Sequence, residues 1–178
     1  MRVLVAYGSR YGSTEGIARK IAEKLQACGH DASAVRAKDV LDTGGYDAFV
    51  IGSAVYMGAW MKDVSEFARR NAHVLAERPV WLFSSGPVGT ETVDAKGRDV
   101  REATVPKHIT ELEAMLHSRG HRVFFGALDH TKLNFAHRAL FALPAGKKLL
   151  IEGDFRDWNE IDSWAESIAE ALAPAHVL

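Results

Sequence analysis

The chain opens with a short apolar run, residues 2–7, that breaks at Gly8 into a loop of glycine and hydroxyl residues. It then passes directly into Ile17, Ala18, Ile21, Ala22 and Leu25 at helical spacing. This reads as strand, loop, helix, and the alternation continues. Strands are expected at 31–36, 48–52, 79–84 and 122–128, and helices at 64–75, 109–117 and about 158–172. Apolar strands interleaved with amphipathic helices bury both faces of a sheet, so the expected fold is α/β with a doubly wound parallel sheet. Two stretches interrupt the alternation. Residues 86–107 form a polar run too long for a simple connector, and 129–153 separates the last strand from the last helix.

At 178 residues the chain buries about two-thirds of its unfolded surface, which supports one soluble domain over 1–178 with an insertion at about 129–153. The single cysteine, Cys28, excludes an internal disulfide, and its place before Gly29 at the end of the first helix reads as a packed small residue. No cationic and apolar leader precedes the first strand, so a cytoplasmic protein is expected. With 22 Lys and Arg against 23 Asp and Glu, a net charge of −1 argues against nucleic acid as a partner. No apolar stretch approaches the roughly 20 residues of a membrane span, so any membrane contact is peripheral. A homodimer stays open. None of the eight histidines stands at a close metal-ligand spacing, and no metal site is expected.

Three loops follow successive strands to one sheet edge, the ligand-binding edge of a doubly wound sheet. The first, Gly8-Ser9-Arg10-Tyr11-Gly12-Ser13-Thr14, opens a helix whose free N–H groups and dipole attract an anion. The same residues also suit an ordinary N-cap cluster with Ser13 or Thr14 as cap. A nucleotide P-loop needs a lysine this loop lacks. A dinucleotide fingerprint needs an acid at the end of the second strand, where Arg36-Ala37-Lys38 stands, which argues against tightly held NAD. The second loop carries Tyr56, Met57 and Trp60, flat or polarizable surfaces for a planar ligand, although each could simply pack beneath the loop. The third, Ser84-Ser85-Gly86-Pro87-Val88, lets backbone groups approach a heteroaromatic edge.

The first loop matches residue by residue the aromatic-x-Ser/Thr-x-x-Gly-x-Thr-x-x-x-Ala pattern of the flavodoxin family, from Tyr7 through Ser9, Gly12 and Thr14 to Ala18, and the chain resembles that family. The resemblance implies a flavodoxin-like fold with a five-stranded parallel sheet in order 2-1-3-4-5, and FMN as cofactor. It implies phosphate contacts from Ser9, Arg10, Tyr11, Gly12, Ser13 and Thr14. The flavin ring would lie between Ala54, Val55, Tyr56, Met57 and Gly58 on one side and Ser84, Ser85, Gly86, Pro87 and Val88 on the other. Electron-shuttle flavodoxins are strongly acidic, carry hydroxyls where Arg10 and Tyr11 stand, and frame the ring with acidic and aromatic residues this third loop lacks.

The chain looks more like the flavodoxin-type, quinone-dependent protoporphyrinogen dehydrogenases of bacterial haem synthesis. The Ser9-Arg10-x-Gly12-x-Thr14 loop, the Val50-Ile51-Gly52-Ser53-Ala54 strand end with Tyr56 and Gly58, Phe125-Gly126-Ala127-Leu128 before a basic and apolar insertion, and Asp157-Trp158 carry that resemblance. It implies oxidation of a porphyrinogen with transfer of electrons to a quinone. The flavin would carry the chemistry, so no catalytic side chain is expected. Within the insertion, Lys132, Arg138, Lys147 and Lys148 stand beside Leu133, Phe135, Leu140, Phe141 and Leu143 with no acid between 131 and 148. Such a segment suits an anionic, largely apolar substrate or an anionic membrane surface, and equally a sheet-edge cover with its cations in water. The alternatives are an FMN carrier exchanging single electrons with a protein partner and a quinone reductase fed by a nicotinamide. Asp157 and Glu160 fit a capping box, and Asp154 with Arg156 reads as a surface pair.

Overall fold

A computed structural model describes residues 1–133 and 151–173. Strands β1 (Arg2–Gly8), β2 (Asp31–Arg36) and β3 (Ala48–Tyr56) lie in one sheet; β4 (Ala59–Trp60) folds back on β3, and β5 (Val80–Ser85) and β6 (His121–Phe124) complete it. The order is β2-β1-β3-β5-β6, with every neighbour in that path parallel. Counting the five parallel strands alone, this is the expected 2-1-3-4-5 order. The chain therefore reverses direction across the sheet between β1 and β3, which opens a crevice at their carboxyl ends.

The two-residue period of the strands sends side chains to two separate cores. Val3, Val5 and Tyr7 join Val50, Phe83 and Phe124 under α1 (Ser13–Ala27) and the C-terminal helix. Leu4 and Ala6 join Phe49, Ile51 and Leu82 under α2 (Lys62–Arg70) and, beyond the short α3 (Ala72–Leu75) and α4 (Val100–Thr104), α5 (Ile109–Leu116). On the first face Trp164 meets the Phe83 and Phe124 rings edge-on at 6.2 and 5.4 Å, anchoring the last helix over the sheet.

The structure departs from the expected elements at four places. The helix expected over 64–75 divides at Asn71, whose side-chain amide donates to the Phe67 carbonyl at 2.9 Å and competes with the helical ladder. Strand β3 continues four residues past Gly52 and turns at Met57-Gly58, both left-handed (φ 52° and 76°), a type I′ hairpin turn matched to strand twist. The run expected as one strand over 122–128 splits: β6 ends at Phe124, and β7 (Ala127–Leu128) pairs antiparallel with β8 (Gly153–Asp154). The insertion at 129–153 thus leaves and returns through a two-stranded ribbon. Cys28 is exposed at the C-cap of α1, not packed.

The last helix, α6 (Trp158–Leu172), begins where expected, with Asp157 accepting from the N–H groups of Asn159 and Glu160 at 3.0 Å each. The capping box is only half formed. Glu160 turns outward to accept from Arg101 at 3.0 and 2.8 Å, a bidentate charged contact that outweighs a single backbone donor. This pair ties α4, within the polar 86–107 stretch, to the start of α6.

Candidate functional site

At the end of β1, Gly12 adopts φ 90° and becomes the N-cap of α1 without any side chain to cap it. Ser9 folds back to accept the Gly12 N–H at 3.1 Å. Thr14, fully buried in the first turn, has a hydroxyl with no hydrogen-bond partner among the described residues. Free amide donors and an unpaired buried hydroxyl at a helix N-terminus form a receptor for a doubly charged oxyanion. Ser13 is committed elsewhere: its hydroxyl accepts from the Ala127 N–H at 2.8 Å and lies 3.4 Å from the Ser85 hydroxyl. It therefore fastens the first loop to β7 and β5.

A cavity of about 340 Å³ opens from this loop along the carboxyl ends of the strands. It brings together Ser9, Arg10, Tyr11, Ser13 and Thr14 from the first loop and Ala54, Val55, Tyr56 and Met57 from β3 and its hairpin turn. Ser85, Gly86 and Val88 come from the third loop. Arg10 does not point along the loop; its guanidinium stands over the Tyr56 ring at 5.2 Å from the centroid. Tyr56 keeps 38% of its surface exposed, and burial of the rest pushes its phenol up, so it stays neutral and able to donate. Met57 is fully exposed at the cavity lip.

Four of the expected residues do not line this cavity. Gly12 faces a second, polar cleft, Gly58 completes the hairpin turn, and Pro87 is buried with its carbonyl accepting the Gly126 N–H at 2.8 Å. Ser84 is fully buried beneath the site in a hydrogen-bonded chain. The Trp60 indole N–H donates to its hydroxyl at 2.8 Å, and that hydroxyl lies 2.8 Å from His121 Nε2. Because an indole only donates, the Ser84 hydroxyl accepts from Trp60 and keeps its own proton, which a neutral imidazole can accept at Nε2. Burial holds His121 down to about 4, in agreement with that polarity. Trp60 is thus a core residue, and the chain pins the Tyr56 hairpin to β5 and β6.

Sequence reasoning missed the remaining wall, formed by Gly126, Ala127, Leu128 and Leu133. The Phe125-Gly126-Ala127-Leu128 run was legible as a motif, but nothing in its apolar pattern shows the chain leaving the sheet at Gly126. Arg156 was missed as well. It clamps Asp154 through both carboxylate oxygens at 2.7 and 2.6 Å, lies over Trp158 and reaches the Ser13 carbonyl at 3.4 Å. The guanidinium holds the Asp154 carboxyl below its usual range. With only 16% of its side chain exposed, Arg156 braces the phosphate loop from outside, a tighter role than a surface pair.

Lys132 stands beside Gly12 and Ser13 in a polar cleft of about 330 Å³ between the first loop and the β7–β8 ribbon. Arg138, Lys147 and Lys148 lie outside the described residues.

The family profile described as the flavodoxin domain matches residues 4–148, well over half of the chain. The chain belongs to the flavodoxin family. No curated protein matches it. Among solved structures it is similar to a cysteine-to-serine mutant of the flavodoxin from Pseudomonas aeruginosa (19% identity, 97% of this chain and 99% of that one, TM-score 0.60). It is similar also to a flavodoxin from the domain Archaea (15% identity, 96% and 98%, TM-score 0.61). A third likeness is to the rubredoxin oxygen:oxidoreductase of Desulfovibrio gigas (15% identity, 96% of this chain but 36% of that one, TM-score 0.60). At these identities the likeness speaks for the fold.

This flavodoxin domain binds FMN, and the residues present fit it. The unpaired Thr14 hydroxyl and uncapped α1 amides suit the phosphate, and the apolar cavity beside Tyr56 suits the ring. FMN-dependent electron transfer is the chemistry such a site serves.

Proposed function

We propose that the protein is an FMN-dependent dehydrogenase that oxidises a porphyrinogen, protoporphyrinogen IX in haem synthesis, and delivers the electrons to a quinone. The observation that carries this reading is that the insertion begins in the wall of the flavin cavity. Leu128 and Leu133, on either side of its first turn, line the cavity, and Leu133 is 6% exposed. A shuttle that meets a protein partner needs only a ring edge at its surface. An insertion of some two dozen residues rooted in the cavity wall supplies room and chemistry for a large organic substrate.

FMN, when bound, supplies the two-electron chemistry by which hydride leaves the substrate and the electrons pass on to the quinone. The chain's own residues orient and exclude water. Leu128, Leu133, Val88 and Ala54 form a dry wall, Tyr56 offers an aromatic face with Arg10 behind it, and the Trp60–Ser84–His121 chain holds that face in place. Asp129 starts the insertion by accepting from the Thr131 N–H and hydroxyl at 2.9 and 2.6 Å, which fixes the direction in which the segment departs. Arg138, Lys147 and Lys148 then supply cations for substrate carboxylates or an anionic lipid surface where quinone resides. No helix among the described residues is long and apolar enough to cross a membrane.

Replacing Arg138, Lys147 and Lys148 together by Ala is expected to lower porphyrinogen turnover with a quinone acceptor about tenfold while leaving FMN affinity unchanged. The measurement pairs steady-state turnover with FMN titration of the flavin-stripped protein. Unchanged turnover would remove the delivery role from the insertion.

A further inference from the structure

The phosphate loop is ringed by three cations that play different parts. Arg10 is turned over the Tyr56 ring, and Arg156 is neutralised by the two short contacts to Asp154. Lys132 is held differently. Its ammonium stands 3.9 Å from the point a side chain on Gly12 would occupy, directly above the bend that exposes the first amides of α1. It is 60% exposed, and its ion pair among the described residues is a long contact of 3.7 Å to Asp129, whose carboxylate is already engaged by Thr131. Moving the ammonium from that acid to a phosphate on the loop requires only side-chain rotation, and a dianion offers it more than a half-satisfied carboxylate does.

We propose that Lys132 is a phosphate-binding residue for FMN, brought to the loop by the insertion, and that it closes the cofactor's phosphate end from above. This rests on the FMN reading of the site and assigns Lys132 away from substrate. The geometry gives the arrangement a clear logic. The loop itself carries no lysine, and its one arginine stands over the Tyr56 ring. The insertion restores the missing charge at the place where Gly12, lacking a side chain, leaves room for it. The β7–β8 ribbon fixes the root of the insertion, so that Lys132, four residues past Leu128, reaches Gly12 through the short turn at His130–Lys132. The same short segment therefore contributes Leu133 to the ring cavity and Lys132 to the phosphate cleft, and couples cofactor retention to the placement of the insertion.

The test compares FMN with riboflavin, which lacks the phosphate, by fluorescence titration of the flavin-stripped full chain at low and high salt. Lys132→Gln is expected to weaken FMN about tenfold, as for the loss of one charged hydrogen bond, to leave riboflavin affinity unchanged and to flatten the salt dependence of FMN binding. Lys132→Arg should restore most of the affinity, and Asp129→Asn, which frees the ammonium, should tighten FMN. Equal FMN affinity in wild type and Lys132→Gln, or an equal loss for both flavins, would overturn the proposal. A wild-type protein that bound neither flavin would overturn the cofactor reading beneath it, and the proposal with it.

Discussion

Thr14→Val is expected to make the flavin-free protein more stable and the FMN complex weaker. The Thr14 hydroxyl is fully buried and unpaired among the described residues, so the folded chain bears the desolvation of that group without compensation, about 1–3 kcal/mol. Valine has nearly the same shape and removes the penalty, so the flavin-free midpoint should rise by roughly 2–12 °C for a domain of this size. The phosphate then loses a charge-assisted donor, and FMN affinity should fall about 10- to 100-fold while riboflavin affinity stays level. Thermal unfolding and flavin titration of the same variant read both signs. A variant with unchanged FMN affinity would place the phosphate elsewhere.

His121 should make stability fall as the medium becomes acidic. Its folded value of about 4 lies below the ordinary imidazole value of 6.5, so on acidification the unfolded chain takes up a proton before the folded one. The stabilisation is fully present above pH 6.5 and is lost as pH falls towards 4. Between pH 7.5 and 5 the loss is about 2 kcal/mol. Protonation also turns the Ser84–His121 bond around, because a cationic imidazole donates and cannot accept from the Ser84 hydroxyl, while the Trp60 indole can only go on donating. The hairpin that carries Tyr56 is then the first element to loosen. His121→Gln retains a neutral acceptor without the titration, so urea unfolding at the two pH values should show a drop about 2 kcal/mol smaller than in wild type. Equal drops would mean that His121 does not carry the effect.

What the sequence revealed follows from where its information is local. The strands and the first and last helices were legible because β1 and β3 alternate between two fully apolar cores and because Asp157 marks the start of α6. The first loop was legible as a helix N-terminus because such ends announce themselves in glycine and hydroxyl residues. The breaks were not. Asn71 ends α2 through its own side chain, and Gly126 takes the chain out of the sheet through a carbonyl contact to Pro87. Neither contact has a periodic signature. Assigning side chains within the site also required three dimensions. Ser84 sits next to Ser85 in sequence, yet Ser85 lines the cavity and Ser84 faces the indole below. Lys132 stood among four cations of one insertion, and only the fold sets it above Gly12.

Whether a porphyrinogen is the electron donor is decided by mixing FMN-loaded protein with protoporphyrinogen under anaerobic conditions and following the flavin absorbance. Bleaching of the bound flavin on the time scale of turnover, with the colour restored on addition of a quinone, is the expected result. A flavin that stays bound and oxidised in the presence of the porphyrinogen would contradict it, and would leave an FMN-dependent electron carrier on the same fold.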